Sequence, residues 1–157
     1  GEDLCGIYKN DKGGKKLGHP EESGHGCLLY DQTQKTVLII KDDALPANKN
    51  IKQQVRSVDI LPTILNILKI PYKNRQFDGV SLLEVIKKNK YLNLLGYSET
   101  FYPEEQTSAT GGLFYNAKNK ISFRINNKYK IIQHQGNNQV EFYDLENDQN
   151  ELNNLAQ

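Results

Sequence analysis

The stretch ISFRINNKYKIIQHQGNNQVEFYDL, residues 121–145, decides the fold of the back half of this chain. Apolar and polar side chains alternate in short runs, and the runs are separated by Asn, Lys and Gly, residues that tight turns favour. The pattern predicts antiparallel strands near 120–126, 129–134 and 140–144, with another near 113–116 ahead of them. In the first of these, Ile121, Phe123 and Ile125 are expected to face one way and Ser122 and Arg124 the other, giving one dry face and one wet face. His134 closes a strand beside a Gly-Asn-Asn turn and reads as an ordinary strand-end residue. The tail DLENDQNELNNLAQ reads as a turn followed by a weak helix.

Upstream the punctuation differs. Residues 36–41, TVLIIK, form a short β-branched run of the kind found in a strand covered on both faces, as in a parallel or mixed sheet flanked by helices. The polar linker DDALPANKN follows. In RSVDILPTILNILKIP, Val58, Leu61, Leu65 and Leu68 recur at three-and-four spacing beside a stripe of Ile60, Ile64 and Ile67, which predicts a mostly buried helix. Asp59 is placed to cap it, Pro62 falls in its first turn, and Pro71 lies just beyond its end. A second helix is expected over 81–90 and a short strand over 94–97.

The chain has 157 residues, enough for a domain-sized core. Its 20 basic and 19 acidic side chains leave a net charge of +1, so no electrostatic field argues for nucleic acid or an anionic membrane. No apolar run reaches the roughly 18 residues of a membrane span, and residues 1–26 read as a Gly-, Lys- and Glu-rich loop without signal-peptide character. The sequence contains no Met, not even at position 1, which leads us to expect a longer parent chain. Cys5 and Cys27 lack the spacing of a zinc site, and both a disulfide between them and two inert thiols fit.

No dinucleotide, P-loop, zinc-protease or nucleophile-elbow motif is present. The histidines carry what chemical signal there is. His25 stands between Gly24 and Gly26 directly ahead of a core segment, where small neighbours let the backbone approach a ligand closely and where strand-end loops build sites. A solvated loop histidine is the plain alternative. His19, followed by Pro20, lies in the same long loop.

The succession GHGCLLYDQTQKTVLIIK, RSVDILPTILNILKIP and FDGVSLLEVI resembles the second half of the sulfatase family in the alkaline-phosphatase superfamily. There a Gly-His-Gly and Leu-Tyr-Asp/Glu segment precedes a Val-Pro-Leu-Ile-Ile strand, and a Val-Asp-Ile-Xaa-Pro-Thr-Leu helix precedes a Gly-Xaa-Ser-Leu turn. The closing NNKYKIIQHQGNNQVEFYDLENDQNELNNLA resembles the family's Tyr-Lys-Leu-Ile hairpin and its Glu-Leu-Tyr-Asp-Leu-Xaa-Xaa-Asp-Pro-Xaa-Glu-Xaa-Xaa-Asn-Leu-Ala ending. Together these blocks cover about two thirds of the chain. Thr36, Val37 and Gln149 depart from the pattern at positions without chemistry. The family's nucleophile motif, Cys or Ser followed by Xaa-Pro-Xaa-Arg, occurs nowhere, and neither does its N-terminal metal-binding Asp pair. Gly1-Glu2 matches the end of the family's Asp-His-Gly-Glu metal motif, a remnant unrelated to that motif being the other reading.

The resemblance implies an α/β fold of α+β character. Residues 1–100 would form the C-terminal part of the catalytic α/β domain, and residues 101–157 a small antiparallel sheet with a helix. It implies a fragment of an enzyme that hydrolyses sulfate esters at a divalent-metal site, usually calcium, with His25 as proton donor and anion contact and His19 as a second anion contact. No metal ligand is assigned within the chain, and no metal is expected on it alone. The implied partners are a missing N-terminal catalytic portion and a sulfate-ester substrate, including glycans. Exposed apolar surface near residues 37–40 would also favour self-association. Phosphodiester or phosphonate hydrolysis, phosphoethanolamine transfer and a non-catalytic glycan- or protein-binding domain are the alternatives, the last drawing on Tyr102, Phe114, Tyr115 and Tyr129. Compartment stays undecided.

Overall fold

A computed structural model describes residues 28–72, 76–101 and 119–156. Its elements run α1 (Asp31–Gln34), a 3-10 turn (Ser57–Asp59), α2 (Ile60–Ile67), α3 (Leu83–Lys88), β1 (Leu95–Thr100), β2 (Lys120–Ile125), β3 (Tyr129–His134) and β4 (Val140–Asp144). The four strands form one sheet in the order β1-β2-β3-β4. The described residues fold as two compact units, one joining residues 28–37 with those from Tyr97 onward, the other holding those between Leu38 and Gly96.

In the first unit β2 pairs antiparallel with β3, and β3 with β4. Asn126 takes positive φ in the first connection, Gly136 and Asn138 in the second, conformations that Asn and Gly adopt at least cost. The register places Ser122, Ile132 and Glu141 side by side, and next to them Arg124, Lys130 and Tyr143. Since paired residues share a face, Phe123, Ile131 and Phe142 point the other way.

Strands β2, β3 and β4 fall where the alternation predicts them, the run expected near 113–116 lies outside the described residues, and the expected dry and wet faces are exchanged. Lys120, Ser122, Lys130 and Glu141 are buried, whereas Ile125 and Val140 are exposed. Residues 28–31 cause this by packing on the polar face, with Leu28, Leu29 and Tyr30 joining Ile132, Tyr143 and Leu145 in one apolar cluster. Alternation reports which residues share a face but not which face a distant segment covers. The other face carries tilted aromatic pairs, Tyr97 with Phe123 at 5.4 Å and Tyr129 with Phe142 at 5.5 Å.

The tail forms turns rather than a helix. Asn154 Oδ1 accepts from the Phe142 amide at 2.9 Å, and the Leu155 amide donates to the Phe142 carbonyl at 2.8 Å, so the tail comes back along β4 and occupies backbone groups an edge strand would leave open. Glu151 adopts positive φ there and is buried.

In the second unit the predicted helix appears as the 3-10 turn and α2. Asp59 stands at the N-cap position, but its carboxylate serves other donors: the Arg56 guanidinium at 2.7 and 3.2 Å, the Arg56 amide at 2.9 Å and the Val80 amide at 2.9 Å. Thr63 Oγ1 donates to the Asp59 carbonyl at 2.6 Å and accepts from the Leu82 amide at 2.9 Å. These bonds weld the helix start to residues 79–82. A Cβ on Gly79 would lie 1.9 Å from the Val58 carbonyl oxygen, so only glycine lets the two backbones meet.

The expected mostly buried helix is corrected. Asp59, Pro62 and Thr63 are buried, whereas Val58, Leu61, Ile64 and Leu68 remain exposed. Residues 36–41 form no hydrogen-bonded strand, and Val37 and Ile39 are 87% and 84% exposed. A run like this becomes a strand only between neighbours, and no described strand pairs with it. The helix expected over 81–90 is α3, and the strand expected over 94–97 is β1, which continues to Thr100.

Candidate functional site

The polar face of β2–β4 gathers the buried charges of the first unit. Asp31, the first residue of α1, sends Oδ1 to Lys130 Nζ at 3.0 Å and Oδ2 to Arg124 Nη2 at 3.0 Å, with exposed Lys35 at 3.1 Å. From the tail, Glu151 Oε1 lies 2.9 Å from Lys130 Nζ, and Glu151 Oε2 accepts from the Asp31 amide at 2.5 Å. Lys130 and Glu151 are each 1% exposed. Two acids thus share one deeply buried ammonium, and the guanidinium of Arg124 balances the second negative charge.

Burial acts to raise the Asp31 pKa, but Lys130 and Arg124 outweigh it and hold the group at about 2. Glu151 moves upward, because burial outweighs its contact with Lys130 and the nearby Asp31 charge adds to the effect.

A second hub lies on the same face. Glu141 Oε2 accepts from Tyr30 Oη at 2.8 Å and from Tyr143 Oη at 2.5 Å, while Oε1 meets His134 Nε2 at 2.5 Å. Burial acts to raise the Glu141 pKa, yet these three donors hold it below the ordinary carboxylate range. Burial and the Glu141 charge push both phenols well above theirs. His134 therefore does more than end a strand, because it is one of three side-chain groups around a buried acid.

Each of these carboxylates is engaged by fixed donors, which suits them to holding segments together rather than accepting a substrate proton. His25 and His19 lie outside the described residues, as do Cys5 and Cys27. What the structure brings together is the segment immediately after them: Leu28 and Leu29 in the core, Tyr30 on Glu141, and Asp31 on the Lys130 lattice. Sequence reasoning singled out none of Asp31, Lys130, Glu141 and Glu151 as site residues. The available signal was the like-charged and polar letters of one strand face, which read as solvated. Among the described residues no group of three or more His, Cys, Asp or Glu side chains is arranged to hold a metal ion, so these residues do not fit a metal centre by themselves. No helix among them is long and apolar enough to cross a membrane.

Residues 25–157 match the family model described as N-sulphoglucosamine sulphohydrolase, C-terminal. The chain belongs to this family. A search of curated proteins gives no match. Among solved structures, one described as a complex with its substrate D-glucosamine-2-N,6-O-disulfate is 21% identical with a TM-score of 0.46, and the likeness covers 62% of this chain and 19% of the other. A 2-O GAG sulfatase is 24% identical with a TM-score of 0.46, covering 63% and 19%. A Bacteroides thetaiotaomicron protein assigned as a sulfatase gives 24%, a TM-score of 0.47, and again 63% and 19%. The chain thus spans about a fifth of the length of these proteins.

Proposed function

We propose that this chain is the C-terminal portion of an enzyme that hydrolyses sulfate esters, with sulfated glycans as the substrate class. The observation that carries the reading is the family match over residues 25–157, which begins at His25. On this reading the attacking group and the cage of a divalent cation, calcium by family resemblance, come from an N-terminal portion, and this chain alone turns over no substrate. A cation of that kind would neutralise charge on the ester oxygens. The part of this chain's own residues is to bind and to protonate: His25 hydrogen-bonds the anion and donates a proton to the departing oxygen, and His19 adds a second contact to the anion.

The exposed side chains of Val58, Leu61, Ile64 and Leu68 on the second unit support a missing docking partner, and the same surface favours self-association when that partner is absent. On this view residues 1–100 contribute to the catalytic α/β domain, while residues 101–157 form the antiparallel subdomain.

The test is His25→Ala in the full-length protein, assayed in parallel on aryl sulfate and phosphate esters. Turnover of the sulfate should fall at least about tenfold, within the range of lost general acid catalysis. Faster turnover of phosphate than of sulfate would move the assignment to a phosphoesterase of the superfamily. Absence of turnover on either ester by the unsubstituted full-length protein would leave a binding domain.

A further inference from the structure

We propose that Tyr30 and Glu141 are positioning residues, through which the C-terminal sheet fixes the chain where it leaves the 24–27 segment; as a statement about catalysis this rests on the assignment of His25 above. The hub is richer than packing requires. The Tyr30 ring already sits in the apolar cluster and meets the Tyr143 ring edge-on at 6.2 Å, so a phenylalanine would fill the same space. Its hydroxyl nevertheless reaches a buried carboxylate at 2.8 Å, and that carboxylate needs Tyr143 and His134 as further donors. Burying an ionised acid costs stability that an apolar group would not, so the arrangement is poorly explained as a stabiliser alone.

What a directed bond adds is place. Apolar contacts let a segment slide, whereas a hydroxyl held by one oxygen fixes the ring tip along a line. One residue further on, the Asp31 amide is held by Glu151. Two acids, one from β4 and one from the tail, therefore tie two successive residues, beneath which Leu28 and Leu29 are buried. A proton donor works only within hydrogen-bond reach of its target, and an error of about 1 Å is enough to cost about a hundredfold in rate.

The experiment compares Tyr30→Phe, Glu141→Gln and His25→Ala in the full-length protein, measuring kcat and KM on an aryl sulfate together with amide hydrogen exchange over residues 28–31. Tyr30→Phe should lower kcat about tenfold with KM changed less than about twofold, and should speed exchange in 28–31 about fivefold. Glu141→Gln, which keeps an acceptor in place, should fall between wild type and Tyr30→Phe. Unchanged kcat in a folded Tyr30→Phe protein overturns the positioning role, whether or not exchange rises. If Tyr30→Phe lowers kcat while His25→Ala does not, the His25 assignment fails and the positioning role falls with it, hydrogen exchange alone then reporting the tie on residues 28–31. If only His25→Ala lowers it, the assignment stands and positioning fails. Should Glu141→Gln not fold, Tyr30→Phe still decides, because its ring keeps the apolar contacts.

Discussion

Lys130→Met is the substitution that most directly tests the buried lattice. Methionine replaces the stem of the lysine with similar bulk but leaves Asp31 and Glu151, 4% and 1% exposed, without the ammonium between them. Arg124 still engages Asp31, at 3.0 Å. Glu151 keeps the Asp31 amide, its other polar contact in the lattice. Removing one partner of a buried ion pair typically costs about 3–5 kcal/mol, because a desolvated charge is left behind. A domain of this size holds only about 5–15 kcal/mol in total. With a urea dependence of about 2 kcal/mol per molar, the unfolding midpoint should fall by about 2 M. Adding Glu151→Gln to Lys130→Met removes the stranded charge and should recover at least about 1 kcal/mol relative to Lys130→Met alone. A midpoint shift below about 0.5 M, or a double variant no more stable than the single one, would refute the lattice as a structural tie.

The pH dependence follows from the same groups. The Asp31 carboxyl is depressed from 3.8 to about 2, so its contribution of about 2 kcal/mol is present above pH 4 and is lost as pH falls toward 2. Glu141, also depressed, adds in the same direction, whereas Glu151 is raised and its cost is relieved on acidification, so urea midpoints should fall from pH 5 to pH 2 more steeply in Glu151→Gln than in wild type. Equal slopes would show that Glu151 does not titrate as its surroundings dictate. In the second unit Gly79→Ala must displace the Val58 backbone, and a loss of about 2–4 kcal/mol in thermal or urea unfolding is expected, less than about 0.5 kcal/mol being the refuting result.

Local signals carried much of this fold. Strands β2, β3 and β4 were legible because Asn and Gly stand where the chain must turn and because alternation has a fixed period. The welded start of α2 was half legible: Asp59 and Pro62 marked a helix N-terminus, but nothing nearby showed that the Asp59 carboxylate would be taken by Arg56 and Val80. The strand expected at 36–41 and the buried stripe of α2 failed for one shared reason, that both patterns describe burial against neighbours the described residues do not contain. Family motifs pointed to His25, which lies outside the described residues. Asp31, Lys130 and Glu151 stayed hidden because their partners lie 99 and 120 positions away in sequence, a separation no local period reports.

That separation also explains why charge appears where an apolar contact would be expected. Residues 28–31 must find one place on a sheet whose strands come about a hundred positions later, and leucines alone would fit several offsets along a pleated surface. Moving the segment by one residue would set Asp31 against Glu141 and Gln32 against Lys130 in one direction, or Leu29 against Glu141 and Tyr30 against Lys130 in the other, mismatches in buried places either way. Either offset strands buried charge without water and costs far more than the apolar contacts it keeps. The lattice therefore selects register. By the same reasoning the correct register, once formed, holds Tyr30 and Asp31 to a single arrangement.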